Sequence, residues 1–328
     1  MKKVLVLLFV FTSFLLFAEN ARVIEFNDSW NEQGFVLEQQ SDIGVQLNYS
    51  IKQLFIGEET INGKLQQTVS LPGNFLPNDE GMPNLPGNGR YVAIPQGSSA
   101  ELQILKYRVE SYQNIDMSSA PRIPWDNEDG PLEYNRNDAV YSTDDFYPKE
   151  FVQLSKPTQI RGVDVVMVGI TPFQYNPVTK ELLVYRDIQV EVNFNGGNGQ
   201  IGVESLRSRW WDPILKDAIL NHEFLPIIDY SQRENTRNGY EYLIICPDDP
   251  TFLTWADSIK VFRQQQGIST VVMTTTEVGG NTPTAIETFI NGIMDPNTGW
   301  DPAPAAVLIL GDYGTTGSTV VAPIWDAY

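Results

Sequence analysis

Two hydrophobic patterns divide the chain. From Arg22 to Asn195 the apolar residues come in short runs broken by Gly, Asn and Pro, such as Phe35-Val36-Leu37, Val45 to Phe55 and Leu65 to Leu71. Alternation of period two is plain in Leu102, Ile104 and Tyr107, and again in Leu182, Val184, Ile188, Val190 and Val192. Val163 to Ile170 is more continuously apolar, as expected of a strand covered on both faces. Asn176 to Lys180 reads as a hairpin turn. Many short strands separated by turn signals predict an antiparallel, all-β sandwich. Within it, residues 112–150 are rich in acids and carry Pro121, Pro124 and Pro131, which predicts a long solvated loop.

The second pattern begins after residue 203. Trp210, Trp211, Ile214, Leu215, Ala218 and Ile219 have the spacing of a short amphipathic helix, with Pro213 tolerated in its first turn. Asp229 to Gly239 then lacks apolar periodicity and reads as a linker. Beyond it the order is β-α-β-α-β. Tyr240 to Cys246, Ile268 to Met273 and Ala305 to Leu310 are the strands. Asp249-Pro250 and Thr282-Pro283 are cap-plus-proline helix starts, and Gly267 and Asp295-Pro296 are stops. This is half of a doubly wound parallel sheet, and its pattern stops at Tyr328 without a terminating element.

Composition narrows the function. The 328 residues hold 22 Lys and Arg against 41 Asp and Glu, a net charge of -19, so phosphate backbones and anionic lipid surfaces are repelled and nucleic acid is excluded as a partner. Lys2 and Lys3 followed by apolar Val4 to Phe17 and small Ala18 read as a signal peptide over 1–18, too short for a membrane span. The protein is therefore expected to be exported, secreted or at the cell surface. Cys246 is the single cysteine and cannot form an intrachain disulfide, and His222 is the single histidine. A Cys-His pair needs the imidazole within hydrogen-bond reach of the sulfur. These two lie on opposite sides of the linker, and a lone cysteine on an apolar strand is ordinarily core. No catalytic residue is assigned. Gly311-Asp312-Tyr313-Gly314 lacks the Gly-Lys-Ser pattern of a phosphate loop. Asp312 follows an apolar strand at the carboxyl edge of the sheet, where it is either a turn aspartate or a ligand-binding one.

Several of these segments together resemble gingipain-type cysteine protease precursors. In the front half they are Gly81-Met82-Pro83-Asn84-Leu85-Pro86, Val92 to Gly97, and Tyr147-Pro148 through Pro172-Phe173-Gln174-Tyr175-Asn176-Pro177 to Val190-Glu191-Val192. In the back half they are Tyr242 to Ile245, Trp255-Ala256 through Arg263 to Gly267, and Val307 to Asp312. The resemblance implies a signal peptide (1–18), a β-sandwich propeptide (19–228), a linker with the processing site (229–239), and the opening of a caspase-like α/β catalytic domain (240–328). It implies an endopeptidase acting on protein or peptide substrates, whose catalytic His and Cys lie on later strands and have no counterpart here. It also makes Asp312 a ligand to structural calcium, most of whose six or more oxygens would come from elsewhere. In the linker, Arg233 and Arg237 are the residues a basic-specific protease would cut after. Arg122 and Arg136, in the acidic stretch, are candidates for a segment that plugs the active cleft. The competing reading is a noncatalytic secreted β-sandwich that binds a polymer or a partner.

Overall fold

A computed structural model describes residues 21–125, 127–231 and 239–311. The predicted signal peptide, Arg233, Arg237 and Asp312 lie outside the described residues. Among the described residues no helix is long and apolar enough to cross a membrane.

The front of the chain supplies β1 (Arg22–Glu25), β2 (Gly34–Ser41), β3 (Gly44–Ser50), β4 (Gln53–Ile61), β5 (Lys64–Ser70), β6 (Asn88–Ala93) and β7 (Ser98–Tyr112). A one-turn helix, α1 (Asp138–Tyr141), precedes β8 (Val152–Leu154), β9 (Thr158–Ile160), β10 (Val163–Ile170), β11 (Phe173–Asn176) and β12 (Glu181–Gly196). These strands make sheets ordered β1-β4-β5, β6-β10-β8 and β11-β12-β3-β2, with β9 added on β10 and β7 on β12. The alternation read in residues 182–192 is the inward face of β12, where Leu182, Val184, Ile188, Val190 and Val192 are all buried.

The acidic stretch departs from expectation at its start. Ile115, Met117, Ser118, Ser119 and Ala120 are buried, because their backbone is paired: Ser118 N–H donates to the Gln67 carbonyl at 2.9 Å and Met117 N–H to the Tyr175 hydroxyl at 3.3 Å. Residues 121–125 and 127–135 are mostly exposed loop, tied at its base by Arg122 and Glu133, and Ser142 to Asp145 are exposed as well.

Downstream come α2 (Asp212–Ala218), β13 (Tyr242–Cys246), α3 (Pro250–Gln265), β14 (Thr270–Thr274), α4 (Pro283–Ile293) and β15 (Ala306–Ile309). Trp210 and Trp211 sit ahead of α2 rather than inside it. The expected caps are present: the Asp249 carboxylate accepts from Thr251 N–H at 2.8 Å, and the Thr282 hydroxyl from Ala285 N–H at 3.2 Å. Strand order is β14-β13-β15, all parallel. Ile244, Cys246 and Ala256 make the core on the α3 face, while Leu243, Ile245, Ile286 and Ile293 make it on the α4 face. Right-handed crossovers to opposite sides of β13 require this placement of one helix on each face.

The chain divides into two compact units that do not follow sequence order. One holds residues up to Val92, Ser98–Pro157 and Val166–Gly196; the other holds Ala93–Gly97, Thr158–Val165 and Gly197 onward. In the second, Asn221 is buried and pairs with one residue as a strand would, accepting from Ala93 N–H and donating to the Ala93 carbonyl, both at 2.8 Å.

In the first unit a buried carboxylate sits at the bulge of β12. Asp187 has no exposed surface and accepts from Trp30 N–H at 2.9 Å, the Ser50 hydroxyl at 2.7 Å and the Arg108 guanidinium. Removing it leaves the Trp30 and Ser50 donors unanswered and takes from Arg108 one of its two carboxylates, Asp28 remaining at 2.9 Å. Asp187→Ala is expected to destabilise this unit by about 3 kcal/mol or more in urea unfolding, against well under 1 kcal/mol for Glu32→Ala at the exposed Lys52 pair.

Candidate functional site

Open α/β sheets place ligands outside the carboxyl ends of their strands, at the point where strand order reverses. Here that point lies between β13 and β15, where Leu310 N–H continues the pairing by donating to the Ile245 carbonyl at 2.8 Å. The chain brings Cys246 to this edge at the end of β13 and Gly311 at the end of β15. Cys246 is fully buried among Phe252, Leu253, Ala256 and Leu308 on the α3 face. Burial pushes its thiol pKa up, and the carboxylates of Asp248, Asp257 and Glu277 add to the rise. Catalytic cysteines show the opposite shift, because the thiolate is the nucleophile. His222 lies in the short turn after α2, beside a cavity lined by Arg207, Asp212, Lys216 and Leu225. The sole imidazole and the sole thiol therefore sit in different surroundings. Among the described residues no three His, Cys, Asp or Glu side chains gather as a metal-binding group, and Asp312 lies outside them.

The amino-terminal edge of the same sheet is the more elaborate one, and sequence patterning gave no sign of it. Each strand is entered through a residue that is tied to the next: Glu241 before β13, Ser269 before β14 and Ala305 before β15. Glu241 N–H donates to the Ser269 hydroxyl at 3.0 Å, Ser269 N–H to the Glu241 carboxylate at 3.1 Å, and Ala305 N–H to the Glu241 carbonyl at 2.7 Å. The segment 207–212 lies over these entries. Arg209 makes a bidentate pair with the Glu241 carboxylate, Nε and Nη2 at 2.7 and 2.9 Å, and Nη2 also reaches the Gly267 carbonyl at 2.6 Å. Trp210 Nε1 donates to Glu241 at 3.1 Å, and Trp211 Nε1 to the Ala305 carbonyl at 2.8 Å.

A fourth side chain comes from the β9–β10 turn. Arg161 and Gly162 have φ of +51° and +76°, the conformation of a tight hairpin, and a Cβ on Gly162 would stand 2.9 Å from that of Leu206. The turn carries Arg161 Nη1 to the Pro304 carbonyl at 2.9 Å, with its guanidinium 5.9 Å from the Trp211 ring centroid.

Both flanks of the predicted linker are packed. Asp212 accepts from the buried Arg207 Nε at 2.8 Å and from the Tyr230 hydroxyl at 2.9 Å, on the upstream side. On the downstream side, a Cβ at Gly239 would stand 2.2 Å from the Pro302 carbonyl oxygen, so only glycine fits. Between the flanks is a cavity of about 280 Å³ lined by Arg207, Arg209, Tyr230, Glu241, Ser269 and Pro302. Of the two arginines noted in the acidic stretch, Arg136 is engaged with Gln66, Asp116 and the Met117 carbonyl and stacks on Tyr141, a structural role. Arg122 sits on the exposed loop, paired with Glu128 and Glu133.

A β-rich segment is followed in this chain by a parallel α/β sheet whose single thiol is buried. The chain belongs to the Propeptide_C25 family, whose model matches residues 29–224. Among curated proteins it is 23% identical over 282 residues to Lys-gingipain HG66 of Porphyromonas gingivalis, covering 81% of this chain and 16% of that one. It is 25% identical over 248 residues to gingipain R2 of the same species, covering 72% and 32%. The chain thus spans between a sixth and a third of the length of these relatives. A solved complex of Porphyromonas gingivalis RgpB pro- and mature domains has the same fold over 59% of this chain and 99% of the matched one, with a TM-score of 0.52 and 22% identity. The gingipain-type precursor read from sequence motifs is shown, and these matches favour it over a noncatalytic binding sandwich.

Because Cys246 is buried and its thiol pKa is raised, native protein is expected to resist thiol reagents. Dithionitrobenzoate at pH 8 should label less than a tenth of the cysteine in the time that labels all of it in 6 M guanidinium. Rapid stoichiometric labelling of folded protein would contradict the placement of this residue.

Proposed function

We propose that this chain is the front part of a secreted, gingipain-like cysteine endopeptidase zymogen, with a β-rich prodomain that keeps the following α/β domain latent and assists its folding. The observation that carries the reading is the order of parts: a Propeptide_C25 segment at 29–224, then a parallel β-α-β-α-β sheet beginning at Tyr242. Export through a cleaved signal peptide rests on the residues 1–18, and the protein or peptide substrates belong to the whole enzyme. In this reading neither member of the catalytic dyad lies in the present residues. Structural calcium at Asp312 belongs to the same reading.

Processing is assigned to Arg233 or Arg237. Both fall in the polar segment between Tyr230, bound to Asp212, and Gly239, packed on Pro302. The plug for the active cleft is assigned to the exposed loop 121–135 rather than to Arg136. That loop presents Ile123 and Trp125, each about two-thirds exposed, together with Arg122.

Limited trypsin digestion of residues 19–328 with mass spectrometry is expected to give its first cut after Arg233 or Arg237. First cuts inside β3, β10 or β12 would contradict this assignment. The same protein is expected to show no thiol-dependent hydrolysis of mixed peptide substrates, with or without Ca²⁺. Turnover abolished by Cys246→Ala would overturn the placement of the dyad outside these residues.

A further inference from the structure

The hydrogen bonds that residues 161–211 make to the amino-terminal edge of the parallel sheet run one way. Arg161, Arg209, Trp210 and Trp211, the donors, lie within the 29–224 matched by the propeptide family, and their acceptors at Glu241, Gly267, Pro304 and Ala305 lie in the α/β segment. Between them the acceptors precede β13, β14 and β15, so every strand of the sheet is held at its entry. The strands differ in how much they need this. β13 is central and buried over Leu243 to Cys246. β15 is four residues long, and none of Ala306, Val307, Leu308 and Ile309 is fully buried. Its entry carbonyls, Pro304 and Ala305, take Arg161 and Trp211 as donors.

We propose that residues 158–165 and 207–212 form a template surface whose occupant is the amino-terminal edge of the chain's own parallel sheet, and that it holds β15 in register on β13. The proposal rests on the prodomain reading above and names where the folding assistance is delivered. Arg209 fixes the spacing of β13 and β14 by bridging Glu241 and Gly267. Trp211 and Arg161 fix β15 by binding consecutive carbonyls of its entry. The contact is made at the edge opposite the one where open α/β sheets bind ligands. A cut between residues 230 and 239 leaves these hydrogen bonds in place.

The test is amide hydrogen exchange on uncut residues 19–328, so its result does not depend on where processing occurs. Trp211→Phe keeps an aromatic ring and removes only the N–H donor; Arg161→Met keeps the aliphatic stem. In the double variant the amides of Ala305 to Leu310 are expected to exchange at least ten-fold faster than in the parent, while those of β12 keep the parent rate. Arg209→Gln is expected to raise exchange at both Glu241–Tyr242 and Ser269–Thr270. If the double variant does not fold, the single Trp211→Phe is read in the same way. Unchanged exchange at 305–310, or an equal rise in β12, would overturn the proposal. A normal template result with trypsin cutting elsewhere would leave this surface standing and remove only the processing assignment.

Discussion

The carboxylate of Glu241 is the interaction on which the junction of the chain depends. It accepts from both nitrogens of an arginine fork, from an indole and from the backbone of Ser269, while its own backbone carbonyl receives Ala305 N–H. A half-buried carboxylate with this many donors is stabilised only while the cation is present; without Arg209 its desolvation goes unanswered. The strands β13, β14 and β15 are therefore spaced by a residue whose partners sit some thirty positions earlier, on the other side of a polar linker. The α/β segment is thereby tied to residues upstream of the linker.

This dependence gives the two edges of the parallel sheet different roles. The carboxyl edge holds a buried thiol whose pKa is raised by burial and by the carboxylates of Asp248, Asp257 and Glu277. The amino-terminal edge is satisfied in detail by propeptide-family residues.

Much of the fold was legible because its signals are local. Period-two alternation marked β12, and Asp249-Pro250 and Thr282-Pro283 marked helix starts that the structure confirms through their cap hydrogen bonds. The edge contacts were not legible, for a physical reason. Trp210 and Trp211 have helical spacing with Leu215, yet they stop short of α2 because their indole donors are committed to Glu241 and Ala305. Ser118 and Ser119 look like surface residues, but backbone pairing across the chain buries them. Asn221, polar and unremarked in sequence, closes on Ala93 128 residues away. Such partners are set by topology, which a single sequence encodes only through distant pairs. The resemblance to gingipain precursors supplied the class; it did not supply these contacts.

Native mass spectrometry of the chain after a single tryptic cut in the linker tests the central claim most directly. The account predicts one species carrying the mass of both pieces at physiological salt, with Arg209→Gln and Trp211→Phe together releasing the C-terminal piece. Two free pieces from the parent protein, or a complex indifferent to both substitutions, would contradict it.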